Sequence, residues 1–567
     1  MVAGAGTLSL EETFLPAHIL NPPPTRHALL AFLLALAAVL HVGTAAWGDL
    51  YDGVEGQVAG GAREMVRSGQ WLVPTNNGVP QLQTPPLASW TVAISYEIFG
   101  VSPTAARLPI ALAMIGAVAL TFLIGERLAG YWRGFAAGLI HLCSAGTFVL
   151  GRLVAPDNVF CLFLAAAVYC AICGYQRQKF RRLWFAAFWI SSALATLAQG
   201  PVAILFLGGL LLILSLFFRE ARLRFVALLH WTNLLLFLVL VAPWFVWAYK
   251  YSPGFAAQLF GGADEPTVAR SRFLVLLLLS WFPAVFLILP GLIFAARKIF
   301  RPNERTFADL LPLCWIAAGL LTQFLIGARH PSAVITLGPG FALVAACAWQ
   351  RSSRTFRASG VALSLVIGVT IAGAAWFGTA PMDVLLGRSL SEIVWLSLRP
   401  LMQITMGALL VSAVAAFFLI RQRGEVMLVL ALAAMVPAGL CLVETGARAA
   451  PFLSLAGAAR YLNTRLGSAG EVVYEGSLRS GNSLSFYLEK KFFLVNQSPT
   501  AFERGEVSQA KYLDEHFLLE AWDRSDPIYL IIDESRVSHW RRLIVERVHI
   551  FHQVTVCGRH VVLSNQL

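Results

Sequence analysis

The stretch TAARLPIALAMIGAVALTFLIG, residues 104–125, contains a single charged side chain, Arg107, among small and apolar residues. A run of about 20 apolar residues is long enough to cross the hydrocarbon core of a membrane as one helix. Runs of this kind recur along most of the chain. The sequence therefore predicts a polytopic α-helical membrane protein.

Thirteen such runs precede residue 445 and are taken as predicted spans. They lie near 28–47, 104–125, 132–151, 157–174, 183–199, 201–218, 226–248, 272–295, 308–328, 332–349, 358–379, 400–420 and 426–444. The resulting division is a cytoplasmic tail (1–27), a transmembrane domain (28–449) and a further domain (450–567).

The composition and the placement of charge agree with a membrane protein. Hydrophobic residues make up 57% of the chain and charged residues only 13%, against about 25% charged residues in an ordinary soluble domain. The net charge of +12 is concentrated in alternate loops between the spans, as the positive-inside rule requires. We interpret the basic excess as a topology signal and predict no nucleic-acid partner. The rule places the N-terminus in the cytoplasm and the C-terminal domain on the outer face.

The long segment 48–100 follows the first predicted span and lies on the outer face. Apolar residues at helical spacing predict an amphipathic helix over 54–68 that lies on the membrane surface and ends at Gly69. Residues 86–100 resemble a second interfacial helix, with Trp90 and Tyr96 at the level of the headgroups.

The last part of the chain has a different pattern. Strand-like runs at 471–475, 491–495, 527–532 and 560–563 alternate with helical patterns at 451–466, 507–523 and 534–546. Alternating helices and strands predict a small α/β domain outside the membrane.

Three acidic residues stand at the outer ends of predicted spans: Asp52, Glu55 and Asp157. A carboxylate at the membrane boundary costs several kcal/mol to desolvate unless it is paired or hydrated. Each acid alone could be a solvated loop residue or, for Asp157, a residue at a helix N-terminus. Because the topology places all three on one face, they could also meet in a single cavity.

Several short motifs follow one another along the chain. They are Glu55-Gly-Gln-Val-Ala59, Arg63-Glu-Met65, Gly69-Gln-Trp71-Leu-Val-Pro74, Asn77-Gly-Val-Pro80, Pro85-Pro-Leu87, Arg107-Leu-Pro109, Arg152-Leu-Val-Ala-Pro-Asp157, Gly200-Pro201, Trp281-Phe-Pro283 and Arg329-His-Pro331. In this order they resemble bacterial glycosyltransferases of the protein O-mannosyltransferase superfamily, which have the GT-C fold, and most closely their lipid A aminoarabinose transferase branch.

The resemblance implies transfer of a sugar from a polyprenyl-phosphate donor to an acceptor on the outer face. By position, Glu55 fits the catalytic acid of the first loop, Asp157 the second carboxylate, and Arg152 its partner near the phosphate. Expelling a phosphate builds negative charge that cations or hydrogen-bond donors must stabilise. Trp71 is expected in the cavity wall.

The sequence also departs from the family pattern. Val54 replaces an acid, so Asp52 is the nearest substitute; Gln83-Thr84 replaces an acid and a lysine; Gln199 replaces a lysine; and Ala333 replaces a tyrosine. Gln83 and Thr84 keep the place of substrate contacts, and Arg270 and Arg329 are candidate replacements for lost ones. A divalent metal is implied, with Asp264, Glu265 and His330 as candidate ligands.

The expected function is thus inverting sugar transfer from an undecaprenyl-phosphate donor to a lipid or glycan at the periplasmic face of a bacterial inner membrane, for example in lipid A modification. Two alternatives stay open. A catalytically degenerate protein of the same fold would act as a lipid-binding or scaffold subunit. A transporter would place its acids near the middle of the membrane, whereas here they cluster at the ends of spans.

Overall fold

The computed structural model describes residues 24–176, 180–251, 255, 270–326, 331–377, 392–418, 428–429, 432–433, 435–467, 470–497, 512–547 and 551–566. The predicted residues Asp264, Glu265, Arg329 and His330, and most of the tail 1–27, lie outside these ranges. Arg270 opens a described helix, but its side chain is not described.

Helices account for nearly all of the described residues before the C-terminal region. The first are α1 Pro24–His41, α2 Val54–Ser68, α3 Leu87–Phe99, α4 Pro103–Ala129, α5 Tyr131–Leu142, α6 Ala145–Val149, α7 Pro156–Gln176, α8 Arg181–Gln199, α9 Val202–Phe217, α10 Arg219–Phe225 and α11 Trp231–Tyr251. They are followed by α12 Arg270–Ser280, α13 Val285–Ile299, α14 Phe307–Ile326, α15 Gly338–Arg351, α16 Arg354–Phe377, α17 Glu392–Phe418 and α18 Met435–Leu453. Single 3-10 turns lie at Leu150–Arg152, Val226–Leu229, Pro302–Glu304 and Pro331–Leu337.

In the described part of the chain, five helices are long and apolar enough to cross a membrane, or up to seven if each of two bent pairs is one span. The predicted count of thirteen therefore stays a prediction. The runs predicted at 132–151 and 272–295 are not straight helices: α5 and the Ala145–Arg152 segment meet at 56°, and Phe273–Ser280 meets α13 at 100°. Hydropathy averages over a window and does not register a change of direction.

The membrane portion is built around α4, which packs against α1, α5 and α7, while α15 packs against α5. Leu33, Val118, Phe122 and Leu164 from these helices are fully buried in one apolar core. Gly130 joins α4 to α5 with a φ of +92°, a backbone conformation that favours glycine. The connection turns the chain back on itself, so that α5 runs alongside α4.

The last described residues build a six-stranded sheet with helices on both faces. Its strands are β3 Glu471–Glu475, β4 Phe493–Val495, β5 Tyr512–Leu513, β6 Ile528–Asp533, β7 His552–Cys557 and β8 His560–Ser564, in the order β5-β4-β3-β6-β8-β7. β3, β4, β5 and β6 are parallel neighbours, and β8 and β7 are antiparallel. The helices are α19 Ala456–Arg465, α20 Asn482–Tyr487, α21 Glu515–Trp522 and α22 Val537–Arg547.

The side-chain alternation of β3 explains why both faces of this sheet are covered. Val472 and Tyr474 pack in one apolar cluster with α19 and α20, whereas Val473 packs in another with α21 and α22. Successive strand residues point to opposite faces. A strand that is apolar on both sides therefore needs a helical layer on each.

The helix predicted over 54–68 forms with these bounds and ends at Gly69, whose φ of +71° and N–H bond to the Met65 carbonyl close the last turn. Its setting differs from the expected membrane surface. α2 packs against both α3 and α20, and most of its residues, including Glu55 and Arg63, are buried. A short hairpin, β1 Thr75–Asn76 and β2 Val79–Pro80, follows it.

The close crossing of α4 and α5 gives a stability test. A Cβ atom at Gly134 would lie 2.9 Å from the Glu126 backbone nitrogen, and overpacking a core usually costs about 1–3 kcal/mol. We expect Gly134→Leu to lower the thermal unfolding midpoint of the detergent-solubilised protein. Gly208→Leu on α9, where a Cβ meets nothing within 4 Å, is the matched control. Equal midpoints for the two variants would contradict the packing described here.

Candidate active site

Arg107 organises the loop between α1 and α2. Its side chain lies in the first turns of α4 and is only 2% exposed. Nε lies 3.1 Å from Glu55 Oε1 and Nη2 lies 3.3 Å from Oε2, so the guanidinium donates a hydrogen bond to each carboxylate oxygen. The remaining hydrogen bonds go to loop carbonyls: Nη1 to Trp47 (3.0 Å), Gly48 (2.8 Å) and Ala45 (3.4 Å), and Nη2 to Asp49 (2.8 Å).

Glu55 is the counter-charge of this guanidinium. Besides Arg107, its carboxylate accepts hydrogen bonds from the backbone N–H groups of Tyr51 (2.9 Å) and Val154 (3.3 Å), and the residue is 3% exposed. A carboxylate accepts about four hydrogen bonds, and four donors are in place. Burial, with the Glu55 charge adding to it, raises the pKa of Tyr51 to about 12. Glu55 therefore ties the loop, α4 and the segment before α7 together.

Arg152 reaches the same loop from the 3-10 turn that follows α6. Its Nη2 donates to the carbonyl of Thr44 at 2.8 Å and to that of Trp47. The Trp47 carbonyl thus accepts from both Arg107 and Arg152. The structure brings together the predicted acid and the predicted basic residue, with the loop backbone between the two guanidinium groups.

Asp157 opens α7 directly after Pro156 and is 6% exposed. One carboxylate oxygen accepts a 2.8 Å hydrogen bond from Gln199 Nε2, at the end of α8, and the other accepts one from the Ser332 hydroxyl. An acid in the first turn is favoured by the helix dipole. These two partners are neutral, which contrasts with the guanidinium that binds Glu55.

Glu55 is hydrogen-bonded to a residue that lies close to Asp157 in the chain. Val154, whose N–H binds Glu55, precedes Asp157 by three residues, which span at most about 11 Å even when fully extended. The two acids have different partners but lie in one region, at the same end of the helices. Arg152 starts the same segment.

Asp52 faces the C-terminal region. Its carboxylate accepts from the Ser483 N–H at 2.9 Å, and its own N–H donates to the Leu453 carbonyl at 2.8 Å. Nearby, Asp49 forms a bidentate ion pair with Arg460, in which Nη1 lies 2.8 Å from Oδ1 and Nη2 lies 2.8 Å from Oδ2. The acids of the loop thus fasten it to α19 and α20 as well as to the membrane portion.

The remaining predicted residues lie around the α2–α3 connection. The Trp71 carbonyl accepts a 2.6 Å hydrogen bond from Trp90 Nε1. Gln83 Oε1 accepts from Gln57 Nε2 at 3.4 Å, and the same amide donates to Gln81 at 3.0 Å. Thr84 is half-buried beside them in sequence. A group of side-chain amides therefore occupies the place where the family pattern has charged residues.

The sequence analysis did not assign Arg107 to the site. Its position could have indicated this role, because a lone arginine in an apolar helix must find a buried partner. As for a metal, the described residues include no group of three His, Cys, Asp or Glu side chains placed to hold an ion. The predicted ligands Asp264, Glu265 and His330 lie outside the described ranges.

Comparisons with known proteins agree with this architecture. Residues 83–247 match the family model described as dolichyl-phosphate-mannose-protein mannosyltransferase. An uncharacterised protein of Aquifex aeolicus is 25% identical over 51% of this chain and 57% of its own length. The undecaprenyl phosphate-alpha-4-amino-4-deoxy-L-arabinose arabinosyl transferase of Shewanella sediminis is 26% identical over 51% and 55%. The chain spans about half the length of the curated relatives it matches.

The crystal structure of ArnT from Cupriavidus metallidurans bound to undecaprenyl phosphate superposes with a TM-score of 0.80, at 20% identity, over 95% of this chain and 98% of that one. At this identity the likeness establishes the fold, which is the membrane GT-C fold. The resemblance to the protein O-mannosyltransferase superfamily and its aminoarabinose transferases is confirmed.

The buried pair gives the second prediction. Removing one partner of a buried ion pair typically costs about 3–5 kcal/mol, because the other charge is left uncompensated. We expect Arg107→Gln to lower the thermal unfolding midpoint strongly. Arg301→Gln, which removes the exposed i,i+3 partner of Glu304, should change it little, since exposed pairs contribute about 0.2–1 kcal/mol. An Arg107→Gln variant as stable as the control would show that the loop does not depend on this guanidinium.

Proposed function

We propose that this chain is a glycosyltransferase that moves a sugar from a polyprenyl-phosphate donor, with undecaprenyl phosphate as the carrier, to a lipid or glycan acceptor. The reaction would be inverting and would take place at the periplasmic face of a bacterial inner membrane, with the N-terminus cytoplasmic and the sheet domain periplasmic. One observation carries the proposal. Arg152 and Asp157 stand at the two ends of a six-residue segment, and the N–H of Val154 between them binds Glu55.

The proposed step is a single displacement. An acceptor oxygen attacks the anomeric carbon, the bond from that carbon to the phosphate oxygen breaks, and the lipid phosphate leaves with the electron pair. The acceptor proton passes to a carboxylate, and positioned general bases of this kind contribute about 10²–10⁴-fold in rate. Hydrogen-bond donors near the leaving phosphate stabilise its growing charge.

The contacts suggest how to divide the roles. Glu55 already accepts four hydrogen bonds, two of them from Arg107, so we assign it the orienting role that the resemblance allows. Asp157, held by an amide and a hydroxyl, is the better candidate to receive the proton. Asp52 is assigned to holding the loop. Arg152 remains the proposed donor towards the phosphate, and the divalent metal stays a prediction.

The scaffold alternative keeps specific support. Gln199, which occupies the position of a family lysine, binds Asp157 directly, so this contact carries no positive charge. A protein that has lost catalysis would keep the fold and the lipid site without needing that charge.

Lipid mass spectrometry of a deletion strain and its complemented derivatives tests the proposal. Wild-type protein should restore a species heavier by one sugar residue, and Asp157→Asn should reduce its rate of formation by about 100-fold or more. Glu55→Gln should also abolish transfer, with membrane abundance measured to separate this loss from misfolding. Glu520→Gln, which changes an exposed acid of α21 in the sheet domain, is the control and should restore the product.

Two results would contradict parts of the proposal. If the deletion and complemented strains have identical lipids, the chain is not a transferase under those conditions, and the scaffold function takes its place. If Asp157→Asn is fully active while the wild type makes the product, Asp157 is not the proton acceptor.

A further inference from the structure

A cavity of about 270 Å³ lies between α2, the β1–β2 hairpin and residues 485–492. It is lined by four basic and two acidic side chains. These are Arg63, Arg67, Lys490 and Lys491, with Glu64 and Glu489. The cavity lies further along α2 than Glu55: Arg63 follows that acid by eight residues, or about 12 Å of helix. The proposed reaction makes no use of it.

The walls of this cavity are fixed by buried hydrogen bonds. Arg63 Nη1 donates to the carbonyls at the end of α20, those of Ser485 (3.2 Å), Phe486 (2.6 Å) and Leu488 (2.7 Å). Asn77, at the tip of the hairpin, exchanges two bonds with the Phe492 backbone, at 2.7 Å and 3.1 Å. Because both sides are held, the cavity is preformed and a ligand need not order it.

The cavity has more positive than negative side chains, and one of its acids, Glu64, is hydrogen-bonded to the hairpin. The Glu64 carboxylate accepts from the Thr75 hydroxyl and from the Gly78 N–H at 3.1 and 3.2 Å. Arg67 makes a long contact to the Glu489 carbonyl, at 3.5 Å. Within the described ranges neither Arg67 nor Lys491 has a carboxylate within ion-pair distance.

Two further groups in the wall could interact with a bound anion. Burial, followed by the charge of Arg67, lowers the pKa of Arg63 to about 10. The Ser485 hydroxyl is buried, and among the described residues it has no hydrogen-bond partner. A bound oxyanion could relieve the repulsion between the two guanidinium groups and accept from a hydroxyl that needs only to rotate.

We propose that this cavity binds a phosphate monoester. Arg67 lines it on the α2 side and Lys491 on the opposite side, whereas the Lys490 ammonium donates to the carbonyls of Gly467 and Gly470. Cationic donors on opposite sides suit a tetrahedral dianion with three free oxygens better than a planar carboxylate. This inference goes beyond the proposed transfer reaction and holds for an enzyme or a scaffold.

Calorimetric titration of the full-length protein in nanodiscs of neutral lipid tests it. Inorganic phosphate and hexose 6-phosphate should bind, and unphosphorylated hexose should not. Arg67→Gln combined with Lys491→Gln should weaken binding by about tenfold or more, since a hydrogen bond to a charged group contributes about 1.5–3 kcal/mol. Arg63 is left unchanged because it caps α20.

Two controls fix the interpretation. Arg541→Gln combined with Arg542→Gln removes two exposed charges of α22, outside the cavity, and should leave binding as in the wild type. Glu489→Gln removes an acid from the cavity and should tighten binding. Nanodiscs that contain phosphatidic acid distinguish a lipid-borne phosphate, which would compete with hexose 6-phosphate, from a soluble one. Absence of phosphate binding by the wild type, or equal losses in both double variants, would overturn the proposal.

Discussion

The buried pair of Arg107 and Glu55 is the interaction on which the region between the helical portion and the sheet domain depends. The loop between α1 and α2 buries Ala45 and Leu50, and hydrogen bonds to its carbonyl groups hold the rest of its shape. Arg107 supplies many of them by donating to four carbonyl groups of the loop and to both oxygens of Glu55. Neither charge could be buried without the other. The pair thus joins α2 and α4 at the point where α2 meets the sheet domain.

The sequence predicted the local elements better than their surroundings. The bounds of α2 and its stop at Gly69 follow from a helical pattern that ends in a residue suited to positive φ. The same pattern did not show that α2 is covered on two sides. A signal was available in its run of small residues, Gly56, Gly60 and Gly61, where a Cβ would meet Ser483, Asn76 or Pro74. Small residues on several faces of a helix indicate close neighbours on each.

The sequence could identify the residues of the site from their motifs, but it could not show which side chains bind each acid. Glu55 and Asp157 stand out because acids are costly at a membrane boundary, yet the sequence does not show which acid is paired with a cation. Arg107 is separated from Glu55 by 52 positions, and Ser332 is 175 positions from Asp157. Only the folded chain reveals that one acid faces a guanidinium while the other faces an amide and a hydroxyl.

The two partners that hold the Asp157 carboxylate bear on the chemistry proposed for this chain. Gln199 stands where the family pattern has lysine, and Ala333, in place of a tyrosine, follows the serine that binds Asp157. A hydrogen bond to a charged phosphate is worth about 1.5–3 kcal/mol, so both replacements would weaken the hold on the phosphate that leaves in the proposed reaction. The Gln199 amide keeps a hydrogen bond to Asp157 without adding a positive charge at that position. The proposed reaction therefore needs cations from other parts of the chain, and Arg152, which binds the loop next to Glu55, is the candidate.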